Sequence, residues 1–242
     1  MSLIEKIFSS GIVGDYFLNG SDDTLGLVLF IISVAVVIIA AYLLGSINFA
    51  IIISGKKYKQ DIRDHGSKNA GMTNMMRTYG KKAAGLTLLG DALKAVAACL
   101  VGYVLIGSLG AYIAGLFCIL GHIFPIFYKF KGGKGIAATA GLIIAFDWRF
   151  FVVCAVVFFS TFFITHYVSL GSLLVYLAFV IEMVVLGQLG MLSVTEPAHL
   201  YEMYGISLFL AVMAYVKHIP NIKRLIKGEE SKTFLSKKKE EA

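Results

Sequence analysis

Between Asp61 and Lys82 the chain reads DIRDHGSKNAGMTNMMRTYGKK, its longest polar stretch. Ser67, Asn69, Thr73, Asn74 and Arg77 stand close together there, with Gly66 and Gly71 among them. Hydroxyls, amides and a guanidinium at this spacing suit phosphate, because each donates a hydrogen bond and Arg keeps its charge. Glycines let the backbone come close to such a ligand. A second segment, Lys129-Phe-Lys-Gly-Gly-Lys-Gly135, sets Gly132, Gly133 and Gly135 around Lys134. A helix starting near Ile136 would aim its free amides and positive dipole end at this loop. It is not a Walker A loop, since Gly135 follows Lys134 where Ser or Thr is required.

Three shorter pieces join these. Gly45-Ser46-Ile47-Asn48 closes the first apolar run, where small residues also allow close helix packing. Tyr167-Val-Ser169-Leu-Gly-Ser172 is a small-residue turn. His218 and Asn221, three apart, share one face of a helix. Histidine exchanges a proton near neutral pH, which suits a general base. Cys99, Cys118 and Cys154 all fall in apolar runs without metal-ligand spacing, and read as small buried hydrophobes. No metal and no cofactor is implied, and no Ser-His-Asp or Cys-His pattern offers a covalent nucleophile.

These pieces must be positioned by apolar helices. Of 242 residues, 58% are hydrophobic and 15% charged, with a mean hydropathy of +0.80. That is an integral membrane protein, all-α, long enough for one helical bundle. Apolar runs at Leu25–Ile53, Ala83–Ile106, Leu109–Phe127, Ile136–Phe146, Phe150–Thr165, Leu170–Gly190 and Tyr201–Val216 predict seven transmembrane helices. Ile136–Phe146 is short, a half-span or a tilted helix. The expected divisions are 1–23 as an extracytoplasmic segment, 24–219 as the membrane domain and 220–242 as a basic cytoplasmic tail. With the N-terminus outside and the C-terminus cytoplasmic, 19 of the 22 Lys and Arg lie in inner segments, as the positive-inside rule requires. The net charge of +7 therefore reports membrane orientation and not a nucleic-acid partner. All the polar motifs fall on the cytoplasmic side. Asp91 and Lys94, three apart within a span, are expected to pair. Glu182 is given no role.

With these residues assembled, the chain resembles the bacterial membrane glycerol-3-phosphate acyltransferases of the PlsY type, which use acyl-phosphate as donor. The resemblance covers roughly Ala41 to Glu229. It is carried by Leu44-Gly-Ser-Ile47, Asp61-Ile-Arg, Gly66 to Asn74 with Arg77, Gly80-Lys-Lys82, Asp91 with Lys94, Gly121-His122 with Pro125, Phe130 to Gly135, Tyr167-Val-Ser-Leu170, and His218 with Asn221 to Leu225. It implies transfer of a fatty acyl group to the sn-1 hydroxyl of glycerol 3-phosphate, giving lysophosphatidic acid and phosphate, at the cytoplasmic face of the bacterial inner membrane. It also implies a separate phosphate acyltransferase that supplies the acyl-phosphate. By position, Ser67, Asn69, Thr73, Asn74 and Arg77 match the glycerol-phosphate loop, and Lys134 with its glycines the other phosphate motif. His218 and Asn221 match the pair completing the site, and Ser172 and Ser46 join the substrate-binding set.

Some positions depart from the pattern. Asn48 and Ala50 stand where Pro and Gly are usual, and Lys68 replaces the Gly of Ser-Gly-Asn. Lys217, Ile219 and Pro220 stand where arginines and a Glu are usual around the His and before the Asn. The His-x4-Asp signature of CoA-dependent glycerolipid enzymes is absent: the five histidines are followed at that distance by Ala70, Phe127, Gly171, Tyr204 and Lys223. A transporter of phosphate or organophosphate anions is the alternative, but it should carry its polar groups near mid-membrane. A scaffold binding anionic lipid through the basic tail would leave the glycine motifs without a use.

Overall fold

The computed structural model describes residues 10–14, 23–192 and 198–234. Most of the expected extracytoplasmic segment 1–23, and the lysine run Lys237–Lys239, lie outside the described residues. Residues 11–14 are helical, and from Asp23 onward nine helices follow in order among the described residues. They are α1 (Asp23–Ser46), α2 (Phe49–Tyr58), α3 (Met72–Tyr79), α4 (Lys81–Ile106), α5 (Ser108–Ile123), α6 (Ile136–Phe146), α7 (Trp148–Thr165), α8 (Val168–Gln188) and α9 (Ala198–Ile226). Short 3-10 turns occur at Ile62–Asp64 and Ile126–Tyr128. No strand occurs among the described residues.

Among the described residues, six helical stretches are long and apolar enough to cross a membrane, the first being α1 and α2 together. The expected seventh, Ile136–Phe146, has 11 residues. At 1.5 Å per residue that is about half a bilayer core. The apolar pattern found this helix, but its length keeps it from counting as a full span.

Burial sets the layering. In α5, 61% of the apolar stretch is buried, against 17% in α1 and in α7. Helix α5 is thus the axis, and it packs against α1, α4, α6 and α9. Ile31 and Ile39 on α1, and Val156 and Phe163 on α7, stay exposed, as lipid-facing side chains do. Glycine permits the closest crossing. A Cβ on Gly45 would lie 2.1 Å from the Cys118 carbonyl oxygen, and one on Gly121 2.3 Å from that of Tyr42. Small residues let two backbones touch where no larger side chain fits.

Helix α1 breaks after Ser46. Asn48 caps the helix that follows, its Oδ1 accepting the Ile51 N–H at 3.1 Å. The break frees the Ile47 carbonyl, and Lys94 donates to it at 2.5 Å. Lys94 also pairs with Asp91 at 2.7 Å, as expected, and its Nζ lies 3.0 Å from His122 Nδ1. All three cysteines are buried.

Helix α9 passes the expected boundary at residue 220. It runs through Pro220 to Ile226, although Pro220 has no N–H for the Val216 carbonyl.

Candidate functional site

Two polar loops meet at one end of the bundle. Arg63 forks onto Asp61 and donates through Nη1 to the carbonyls of Tyr128 at 3.0 Å and Lys131 at 3.2 Å. One guanidinium thus ties the stretch after α2 to the stretch before α6.

The 65–74 loop is organised by a single amide. Asn74, 1% exposed, accepts the Ser67 N–H through Oδ1 at 3.0 Å. Its Nδ2 reaches the carbonyls of Ile62, His65 and Asn69 at 3.1, 2.9 and 3.0 Å. Asn74, expected in the substrate-binding set, thus spends its amide on shaping the loop. Lys68 sits in the left-handed region at φ 58°. The backbone form that glycine favours is thus kept with a lysine.

Ser67, Asn69, Thr73, Asn74 and Arg77 then line one cavity of about 320 Å³ with Lys134, Gly135, Ser172, His218 and Asn221. Gly135 caps the N-terminus of α6, so the first turn of that helix opens onto the cavity with its positive dipole end. Ser172 Oγ donates to the Val168 carbonyl at 2.9 Å.

Three expected residues are not on the cavity wall. Ser46 is fully buried, donating to the Tyr42 carbonyl at 2.9 Å and accepting the Ile126 N–H at 3.3 Å. It fixes the chain after α5. The N–H groups of Gly132 and Gly133 donate to the carbonyls of Ile123 at 3.2 Å and His122 at 3.1 Å, so they do not cradle an anion. Their glycines answer to space: a Cβ on Gly133 would lie 2.2 Å from His122 Nε2 and 2.6 Å from the Ala70 carbonyl oxygen.

The cavity is cationic. Arg77, Lys134, Lys217 and Arg224 line it, with Glu230 as the facing carboxylate and Asp91 already paired to Lys94. Lys134 donates to Asn221 Oδ1. Burial pushes the Lys134 amine down to about 8; Glu230 opposes this, while Arg224 and Arg77 add to it. His218 Nδ1 lies 2.7 Å from the Ala214 carbonyl oxygen. A carbonyl only accepts, so Nδ1 carries the proton, and in the neutral ring Nε2 keeps its lone pair.

Glu230, Ser169, Lys68, Lys217 and Arg224 were not in the expected set, yet they line the cavity. Glu230 arrives because the chain reverses at Gly228, φ 71°. The Gly228 N–H donates to Leu225 and the Glu229 N–H to Arg224 at 2.8 Å, which is the Schellman ending that glycine favours. A glycine just after the last apolar turn of α9 was the available signal. Glu230 Oε1 then accepts from Asn221 Nδ2 at 2.6 Å and Ser169 Oγ at 2.8 Å. Its Oε2 accepts from Arg224 Nε at 2.6 Å. Arg77 Nη2 donates to the Ser231 carbonyl and to Thr233 Oγ1, both at 3.0 Å. The Thr233 N–H donates to the His166 carbonyl at 2.9 Å. Residues 229–233 thus form a strap across the cavity wall.

Fold and site together define a polytopic helical membrane protein with a cationic, phosphate-compatible cavity at one end of its bundle. The chain belongs to the glycerol-3-phosphate acyltransferase family, whose model matches residues 35–228. It is 39% identical over 194 residues to the glycerol-3-phosphate acyltransferase of Finegoldia magna, covering 80% of this chain and 93% of that protein. To the glycerol-3-phosphate acyltransferase of Bacillus cytotoxicus it is 40% identical over 204 residues, covering 83% and 96%. Crystal structures of PlsY (YgiH), an integral membrane glycerol 3-phosphate acyltransferase, match 84% of this chain and 96% of theirs. The glycerol 3-phosphate form gives a TM-score of 0.74 at 31% identity, and the lysophosphatidic acid form 0.72 at 30%. The expected family resemblance holds, and with it an integral membrane acyltransferase of glycerol 3-phosphate acting in phospholipid synthesis.

Proposed function

We propose that the protein transfers a fatty acyl group from acyl-phosphate to the sn-1 hydroxyl of glycerol 3-phosphate at the cytoplasmic face of the bacterial inner membrane. The observation that carries this reading is the single cavity that gathers Ser67, Asn69, Thr73, Arg77, Lys134, Gly135, Ser172, His218 and Asn221. Two phosphate-bearing substrates need two sets of donors, and this wall supplies them from separate loops. Ser67, Asn69, Thr73 and Arg77 hold glycerol 3-phosphate; Lys134, the N-terminus of α6, His218 and Asn221 hold the acyl-phosphate head. The fatty chain lies between helices in the bilayer.

Acyl-phosphate is a mixed anhydride with a good leaving group, so positioning and charge stabilisation supply most of the rate. The glycerol oxygen bonds to the acyl carbon, the carbon–oxygen bond to phosphate breaks, and the hydroxyl proton ends on the products. Either His218 Nε2 or a substrate phosphate oxygen takes that proton first. A separate phosphate acyltransferase supplies the donor. The polar groups gather at one end of the bundle, which does not suit the transporter alternative.

The test is an assay of purified protein with glycerol 3-phosphate and palmitoyl-phosphate. Phosphate release that depends on glycerol 3-phosphate, with lysophosphatidic acid as product, supports the reading. Transfer from palmitoyl-CoA but not palmitoyl-phosphate overturns the donor, and phosphate uptake into proteoliposomes without transfer overturns the reaction.

A further inference from the structure

Glu230 lies beyond residue 228, where the family match ends, and the acyl transfer described above gives it no task. Its surroundings are nevertheless specific. It is 8% exposed, and a buried carboxylate must be compensated by donors. Ser169 at the start of α8, and Asn221 and Arg224 on α9, supply three. Burial alone would raise the carboxyl, but these hydrogen bonds hold it below the ordinary glutamate value, so it is ionised at neutral pH.

The chemistry of an amide gives this contact its consequence. Asn221 has one accepting end and one donating end. Lys134 can only donate, so it requires Oδ1. The Nδ2 end then requires an acceptor, and Glu230 Oε1 is that acceptor at 2.6 Å. A flipped amide would set its NH2 against the ammonium and its oxygen against the carboxylate. We propose that Glu230, delivered by the strap, is a positioning residue for acyl transfer: it fixes the Asn221 amide and, through it, holds the Lys134 ammonium at the cavity wall. This rests on the reading of the cavity given above.

The charged and titratable groups that line the cavity with Lys134 are Lys68 from the 65–74 loop, Arg77 from α3, Asp91 from α4 with its Lys94 partner, His122 from α5, Lys217, His218 and Arg224 from α9, and Glu230 from the strap. Among those acting directly on Lys134, Glu230 favours the charged amine while Arg77 and Arg224 disfavour it. Loss of the Glu230 charge therefore lowers the Lys134 pKa.

The experiment compares the full-length wild type with Glu230→Gln and Glu230→Asp in detergent, by two readouts. One is acetylation of Lys134 by acetic anhydride, followed by mass spectrometry between about pH 6.5 and 9.5. The other is turnover with glycerol 3-phosphate and palmitoyl-phosphate. The expected result for Glu230→Gln is a labelling midpoint lower by about half a pH unit or more and a kcat lower by about tenfold, with a smaller change in KM. Glu230→Asp, which keeps the charge with a shorter reach, should recover part of both. A Glu230→Gln protein with wild-type midpoint and kcat overturns the proposal. So does one that turns over faster with a lower KM, because the strap then competes with substrate. If Glu230→Gln does not fold, Glu230→Asp carries the same comparison. If the wild type transfers no acyl group, the reaction assigned to the cavity fails, while the labelling midpoint still decides the link between Glu230 and Lys134.

Discussion

Asn74 accepts the backbone N–H of Ser67 at 3.0 Å, seven residues earlier in the chain. With its Nδ2 spread over three carbonyls, this one side chain adds to the few backbone bonds that shape the 65–71 loop. Asn74→Ala leaves the Ser67 N–H without its acceptor and takes one of two donors from each of the Ile62, His65 and Asn69 carbonyls, at a cost of about 1–3 kcal/mol. We expect a lower melting temperature and a KM for glycerol 3-phosphate raised by about tenfold, larger than the change in kcat. A variant with a wild-type KM would show that the loop holds its shape without the amide.

The Lys134 amine, pushed down to about 8 by burial, predicts an alkaline limb. The lysine binds phosphate only when charged, so its contribution is present below that pKa and is lost as pH rises through it. The limb should appear in kcat/KM, which reports the free enzyme. It should lie higher in kcat, because a bound dianion favours the charged amine. Lys134→Gln should remove the limb and lower kcat by about 100-fold or more. A pH profile flat from about pH 7 to 9.5 in the wild type would rule out a titrating lysine at this step.

Gly133 and Gly55 make a matched pair of substitutions. A Cβ on Gly133 meets His122 Nε2 at 2.2 Å and the Ala70 oxygen at 2.6 Å, whereas one on Gly55 meets nothing within 4 Å. Gly133→Ala must separate the 65–74 loop from the end of α5, and should destabilise by about 1–3 kcal/mol and lower activity. Gly55→Ala lies within α2 and should leave activity unchanged while stabilising by about 0.5–1 kcal/mol. Equal effects from the two would contradict the packing.

How far these relations can be read from sequence depends on their range. Apolar length and the placement of Lys and Arg mark the helices, because the bilayer imposes both. The glycine and Ser/Asn motifs mark the cavity, because phosphate recognition needs those donors. Residue type does not tell whether a group faces a ligand or its own backbone. Asn74 and Arg77 look alike in the motif, but only Arg77 reaches the strap. The amides of Gly132 and Gly133 look free until the carbonyls of Ile123 and His122 arrive. Glu230 was hidden for another reason: it lies among lysines and reads as solvated tail, and only the turn at Gly228 brings it to Asn221.

The buried pair in α4 should behave as a unit. Lys94 is held by Asp91 and by the Ile47 carbonyl, and both side chains are almost fully buried. Lys94→Met leaves the buried Asp91 carboxylate with only His122, Nδ1 at 3.4 Å, in place of its ammonium and should destabilise by about 3–5 kcal/mol. Adding Asp91→Asn removes the stranded charge, so the double variant should melt higher than Lys94→Met alone. Simple addition of the two single effects would contradict the coupling.

Lys68 supplies the last prediction, because two effects meet there. Its φ of 58° is a left-handed conformation, which costs a side-chain-bearing residue roughly 1–2 kcal/mol. Lys68→Gly relieves that strain but gives the unfolded chain more freedom, which offsets about 0.4–1 kcal/mol of the gain. The melting temperature should therefore rise slightly or stay level. The ammonium at the cavity wall is lost at the same time. An exposed cation acts through long-range attraction, so the KM for glycerol 3-phosphate should rise by a few-fold, about 2–5. That rise should shrink as salt is raised from about 0.01 to 0.5 M, because screening removes the same attraction in the wild type. A KM increase independent of salt would mean that Lys68 touches the substrate directly.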